Sequence, residues 1–184
     1  KQPKLFDYAF SLRQKAQVIK QINLQQLTPL VHVSSKIPAS QGCCTWILPV
    51  AQHPTNPNAI ICVDLSKDPG VILSENAETL RSLLYARQES FEEGQQRPGI
   101  KLIHINRSPF ITTAKALTED NADRLGLDRA QCLENYKRLA EDTAWRDTLI
   151  ELYNEPHEDS EVDADHALYS GGFLTNEEKH WCDD

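Results

Sequence analysis

The 184-residue chain contains no Met, only seven Gly, and no apolar run approaching the ~20 residues of a membrane span. The last of these leaves no transmembrane helix to propose. With ten Pro as well, so little Gly excludes a collagen-like or low-complexity chain. No Gly-rich phosphate loop, nucleophile elbow or early Asp-x-Glu strand is present, so the chain shows no active site of its own. Its five cysteines, Cys43, Cys44, Cys62, Cys132 and Cys182, form no CxxC pair, which argues against a zinc site. They read as reduced thiols of a cytoplasmic protein. The chain starts at Lys1 with no signal-peptide pattern. Together with the missing Met, this gives the expectation of an excised middle of a longer protein.

What is present is a soluble composition with an uneven charge. The net charge of −8 divides sharply along the chain. Residues 1–140 hold 17 basic and 13 acidic side chains, a balance of +4, and residues 141–184 hold 2 and 14, a balance of −12. The body is mildly basic, so the overall acidity does not exclude a nucleic-acid partner.

Periodicity predicts a helix over 4–22, then short strands at 30–34, 45–51, 58–64 and 101–105. Pro49 inside the second strand implies an edge or a bulge. Residues 76–87 form a predicted helix, and 88–99 a polar loop. Beyond 105 the chain turns helical, with a short helix stopped by Gly126 and a second begun by the Asp128/Gln131 capping pair. Cys132, Leu133, Tyr136 and Leu139 are its predicted inner face, and Trp145, Leu149, Leu152 and Tyr153 that of the next helix. Residues 155–165 read as a solvated acidic linker, and Thr175/Glu178 as the cap of a further helix from 176. The clustering of His157, Asp163, Asp165 and His166 lacks the sixth-position Gly of a calcium loop. The predicted class is α+β: an antiparallel β unit with inserted and appended helices.

Short-strand barrels bind single strands through a basic groove and aromatic faces. Candidates for such a groove are Trp46, Lys101, His104, Arg107 and Phe110. Lys101, His104 and Arg107 recur at spacing three around one strand end. The competing reading keeps Trp46 and Phe110 in the core and the charges on ordinary surface.

Several stretches carry a resemblance. QPKLFDYAF (2–10), TPLVHVS (28–34), HPTNPNAIICVDL (53–65), KLIHINRSP (101–109), ADRLGLDRAQCLEN (122–135) and VDADHALYSGGF (162–173) run in order along nearly the whole chain. Together they resemble the bacterial exonuclease I family of single-strand-specific 3′→5′ exodeoxyribonucleases. The resemblance implies an SH3-like antiparallel β barrel at 23–154 with a helical hairpin. It makes 1–22 a helical lead-in from a preceding nuclease domain, and 155–184 an acidic linker and the start of a helical domain. It implies that the catalytic carboxylates and their Mg²⁺ belong to the parent enzyme, expected to be a monomer. This segment is expected to hold neither catalytic nor metal-binding residues and to be inactive alone. It also implies two partners: single-stranded DNA, and the acidic, Phe-ended tail of single-stranded-DNA-binding protein. Tyr8, Arg129 and Leu133 match positions linked to the tail pocket or the basic ridge beside it. Other ridge positions of the family pattern are Thr28, Thr113, Thr118 and Ala140 in this chain. Arg138 lies two residues before Ala140, about 200° away around a helix.

Overall fold

The computed structural model describes residues 3–87, 91 and 97–154. Two helices, α1 (Pro3–Ser11) and α2 (Lys15–Gln21), lead into strand β1 (Leu30–Val33). Strands β2 (Cys44–Gln52) and β3 (Ala59–Asp64) follow, then helices α3 (Gly70–Ser74) and α4 (Ala77–Tyr85). After β4 (Ile100–His104) and β5 (Phe110–Thr113) come helices α5 (Glu119–Arg124), α6 (Arg129–Glu141) and α7 (Trp145–Leu152). All strand pairs are antiparallel, in the order β4-β3-β2-β1-β5. The class is α+β, as expected. No helix among the described residues is long and apolar enough to cross a membrane.

The sheet is buried on both faces, which explains why β2 and β3 read as near-continuous apolar runs. Val31, Trp46, Leu48, Ile61 and Val63 pack under Leu80, Leu139, Trp145 and Leu149 of the later helices. Leu30, Ile47, Ile60, Ile103 and Ile111 pack with Leu12 and Val18 at the N-terminal end of the chain. Asn135, 1% exposed, ties α6 to the end of β3 by donating from Nδ2 to the carbonyls of Leu65 (2.9 Å) and Lys67 (3.0 Å).

Local chemistry sets the boundaries. Pro49 sits at a register shift in the β2–β3 ladder, so it marks a bulge in an inner strand rather than an edge. Asn76, Thr118 and Asp128 cap α4, α5 and α6 through their side-chain oxygens. The Asp128/Gln131 pair is a one-way cap, because the Gln131 side chain donates instead to Asn135 Oδ1 at 3.1 Å. Gly126 follows α5 at φ +71°, and an added Cβ would lie 2.7 Å from the Ser40 carbonyl oxygen.

The structure departs from expectation in three elements. The predicted helix over 4–22 is two helices; α3 and β5 were not predicted. Leu133 on α6 is 42% exposed rather than inward, while Asn135 takes a core position. Cys44, Cys62 and Cys132 are buried and unpaired. The acidic linker, the cluster at 157–166, the helix from 176 and most of the polar loop at 88–99 lie outside the described residues.

Candidate nucleic-acid interface

Side chains alternate along β4, and this decides which of its cations can act together. Ile100 and Leu102 belong to one core, Ile103 and Ile105 to the other. Lys101 therefore projects from the face opposite His104. The spacing of three does not group them; it separates them.

Lys101 is drawn toward a buried carboxylate. Its Nζ lies 2.6 Å from Asp64 Oδ2. Asp64 is 2% exposed, and its other oxygen accepts from Thr45 Oγ1 (2.6 Å), Ser66 Oγ (2.7 Å) and Ser66 N–H (3.1 Å). Burial pushes the Asp64 carboxyl pKa up, but the Lys101 charge and the three side-chain donors outweigh it and hold the group below its ordinary value.

His104 and Arg107 do stand together, joined by a turn in which Arg107 N–H donates to the His104 carbonyl (3.1 Å). The pKa of His104 is lowered by partial burial, then by the positive charges of Arg107 and Lys36. Lys36, from the loop after β1, was absent from the sequence reading. So was Lys15, whose Nζ donates to Asn58 Oδ1 (2.7 Å), while the Asn58 carbonyl accepts from Ile105 N–H (2.9 Å). Lys15 and Arg107 thus stand at the His104 end of the sheet, while Lys36, beyond the other end of the β1–β2 ladder, reaches His104 through its charge. Among the described residues none of them forms an ion pair.

Trp46 requires a correction. It is 3% exposed, sealed in the core beneath α6, with the Arg129 guanidinium 5.5 Å over its ring. An indole packed this way offers no face to a base. Phe110 is only part-buried and meets the edge of the Tyr8 ring at 6.1 Å.

Tyr8 and Arg129 occupy two neighbouring hollows. Tyr8 is tied to β5 by donating to the Ile111 carbonyl (2.7 Å). With Leu5, Val33, Phe110, Leu117 and Leu125 it lines an apolar hollow of about 290 Å³. Leu117 is shared with a second hollow of about 450 Å³, lined by Lys115, Thr118, Glu119, Asp120 and Arg129. Arg129 Nε is buried and has no hydrogen-bond partner among the described residues. Leu133, one turn along α6, lines neither hollow. Of the departures from the ridge pattern, Thr118 is committed to capping α5, and Arg138, beside Ala140, pairs with Asp68 at 2.8 Å.

Among the described residues no group of three or more His, Cys, Asp or Glu could hold a metal ion.

The family model described as the exonuclease I SH3-like domain matches residues 13–155. Exodeoxyribonuclease I of Haemophilus influenzae is 39% identical over 98% of this chain. A crystal structure of E. coli exonuclease I in complex with a dA16 oligonucleotide superimposes with a TM-score of 0.89, at 36% identity, over 99% of this chain. A crystal structure of SSB/exonuclease I with an inhibitor superimposes with a TM-score of 0.80, at 37% identity, over 96% of this chain. The chain spans 38% of the length of the H. influenzae relative and 39% and 36% of the two solved chains. Sequence and fold agree: the chain belongs to the exonuclease I SH3-like domain family.

Proposed function

We propose that this chain is the accessory domain that guides single-stranded DNA in a 3′→5′ single-strand-specific exodeoxyribonuclease serving DNA repair and recombination. The observation that carries the reading is the group Lys15, Lys36, His104 and Arg107, which form no ion pair among the described residues. Cations without carboxylate partners are free to neutralise phosphates, and a phosphodiester strand offers them a regular row. In this reading the hydrolytic carboxylates and Mg²⁺ belong to the rest of a longer cytoplasmic enzyme. What this chain's residues do is hold and orient the strand.

The test is a titration of labelled oligothymidylate with this chain at several salt concentrations. Three permanent cations give an expected slope of log K against log salt of about −2. Arg107→Ala should flatten it by about 0.7. An unchanged slope in a Lys36→Ala, Arg107→Ala double variant overturns the reading. Incubated with Mg²⁺, the chain should leave the oligonucleotide intact; degradation by a clean preparation would place catalysis within it.

The paired hollows favour a second reading, docking of the acidic, Phe-ended tail of single-stranded-DNA-binding protein. A terminal aromatic ring suits the hollow of Tyr8 and Phe110, and Lys115 and Arg129 next to it offer positive charge to acidic residues, beside the Glu119 and Asp120 carboxylates that line the same hollow. An acidic peptide ending in Phe should bind, and Arg129→Ala should weaken it by about tenfold or more while single-strand affinity is unchanged. Equal binding by the variant removes this reading.

A further inference from the structure

We infer that the surface of α4 and α7 carries a base-stacking track for single-stranded DNA, running from Tyr85 over Tyr153 and His53 to the cationic end at His104 and Arg107. The inference rests on the guiding role proposed above. It adds the part that would grip bases rather than phosphates.

The track begins with Tyr85, the last residue of α4, which is 70% exposed. An exposed Tyr alone means little. Its position does more. Arg81 on the same helix donates to the Leu152 carbonyl at 2.9 and 3.2 Å, which fixes α4 against the end of α7. Tyr153 follows that end directly, half-buried against the core. The Tyr153 ring meets His53 with centroids 4.8 Å apart and planes inclined by 44°. The His53 backbone N–H donates to the Ala59 carbonyl (3.0 Å), Ala59 pairs with His104 across the ladder, and His104 is joined to Arg107 by their turn. Exposed Tyr85, the part-buried Tyr153 packed on the core, and His53 thus lie in sequence along the surface toward His104 and Arg107, which form no ion pair among the described residues.

His53 is held as a fixed, neutral ring. Its Nδ1 accepts from the backbone N–H groups of Asn56 (3.1 Å) and Thr55 (3.3 Å). The ring proton therefore sits on Nε2. Partial burial, then the neighbouring His104, lowers its pKa. A ring kept uncharged and immobile presents a π face and one N–H donor. Single-strand binders use this combination: aromatic faces for bases, a cationic path for phosphates, and no demand on sequence.

The test uses anisotropy of a fluorescein-labelled oligothymidylate with the 184-residue chain, its Tyr85→Ala, Tyr85→Phe and Arg107→Ala variants, and a duplex of equal length. Tyr85→Ala should weaken single-strand binding about 5- to 100-fold. It should leave the salt slope and duplex affinity unchanged, because paired bases expose no free face. Tyr85→Phe should bind as the parent does, since stacking needs the ring and not the hydroxyl. At 70% exposure the residue contributes little to folding, and circular dichroism checks that each variant is folded. If Tyr85→Ala binds like the parent while Arg107→Ala is weaker, the track is wrong and the cationic reading stands. An equal loss on duplex overturns stacking as the cause. If the parent binds no single strand, both fall.

Discussion

Trp46→Ala is expected to cost about 3–5 kcal/mol of folding stability. Trp46 lies on an inner strand, 3% exposed, between β-sheet neighbours and the helices above them. Its removal leaves a cavity the size of an indole beneath α6 and takes away the ring under Arg129. For a protein of this size each kcal/mol moves the melting temperature by about 2–4 °C, so a fall of roughly 10 °C is expected. Trp46→Phe should be the mildest replacement. It keeps much of the buried area and removes an indole N–H that has no hydrogen-bond partner among the described residues. Urea unfolding measures the loss, and an oligothymidylate titration below both melting temperatures measures binding. Trp46→Phe should bind DNA as the parent does. A loss under about 1 kcal/mol for Trp46→Ala, or a binding defect in folded Trp46→Phe, would return Trp46 to the surface.

The same residue shows where sequence reasoning stops. A tryptophan in an apolar run reads equally as core or as a stacking platform, and only burial decides. The strands themselves were legible, because β2, β3 and β4 are rich in Ile and Val and bounded by turn residues. The Asp128 cap was legible, because an Asp at a helix start has a local function, whereas the Thr118 cap of α5 was not read. Strand β5 was not. Its four residues have no strong pattern of their own and are held by pairing with β1 across some 80 residues of chain. The break between α1 and α2 was hidden for a different reason. Leu12 and Val18 are 1% and 0% exposed, yet in one continuous helix they would point about 120° apart. Breaking the helix lets both face the core. In the candidate interface, spacing three on a strand was misread as adjacency, although strand period two places Lys101 and His104 on opposite faces. Lys15, Lys36, His53 and Tyr153 come from four separate elements and carry no shared local signal.

Asp64→Asn should lower stability by about 2–3 kcal/mol at pH 7. The neutral amide loses the ion pair with Lys101, and its two oxygen positions no longer satisfy Thr45 and Ser66 as well. Breaking a buried pair can cost more, but the Lys101 side chain is 32% exposed, so water takes over part of its solvation. The pH dependence follows from the direction of the shift. Asp64 titrates lower in the folded protein than in the unfolded chain, so the unfolded state binds the proton more readily. Its stabilisation is fully present above the unfolded carboxylate value of about 4 and is lost as pH falls through the folded value below it. The parent should therefore lose stability on acidification through this window more steeply than Asp64→Asn, and the two curves should converge. Urea unfolding of both proteins from pH 7 down to pH 3 measures this. Equal stability at pH 7, or parallel curves through the acid window, would mean that the Asp64–Lys101 pair does not hold the polar centre of the sheet together.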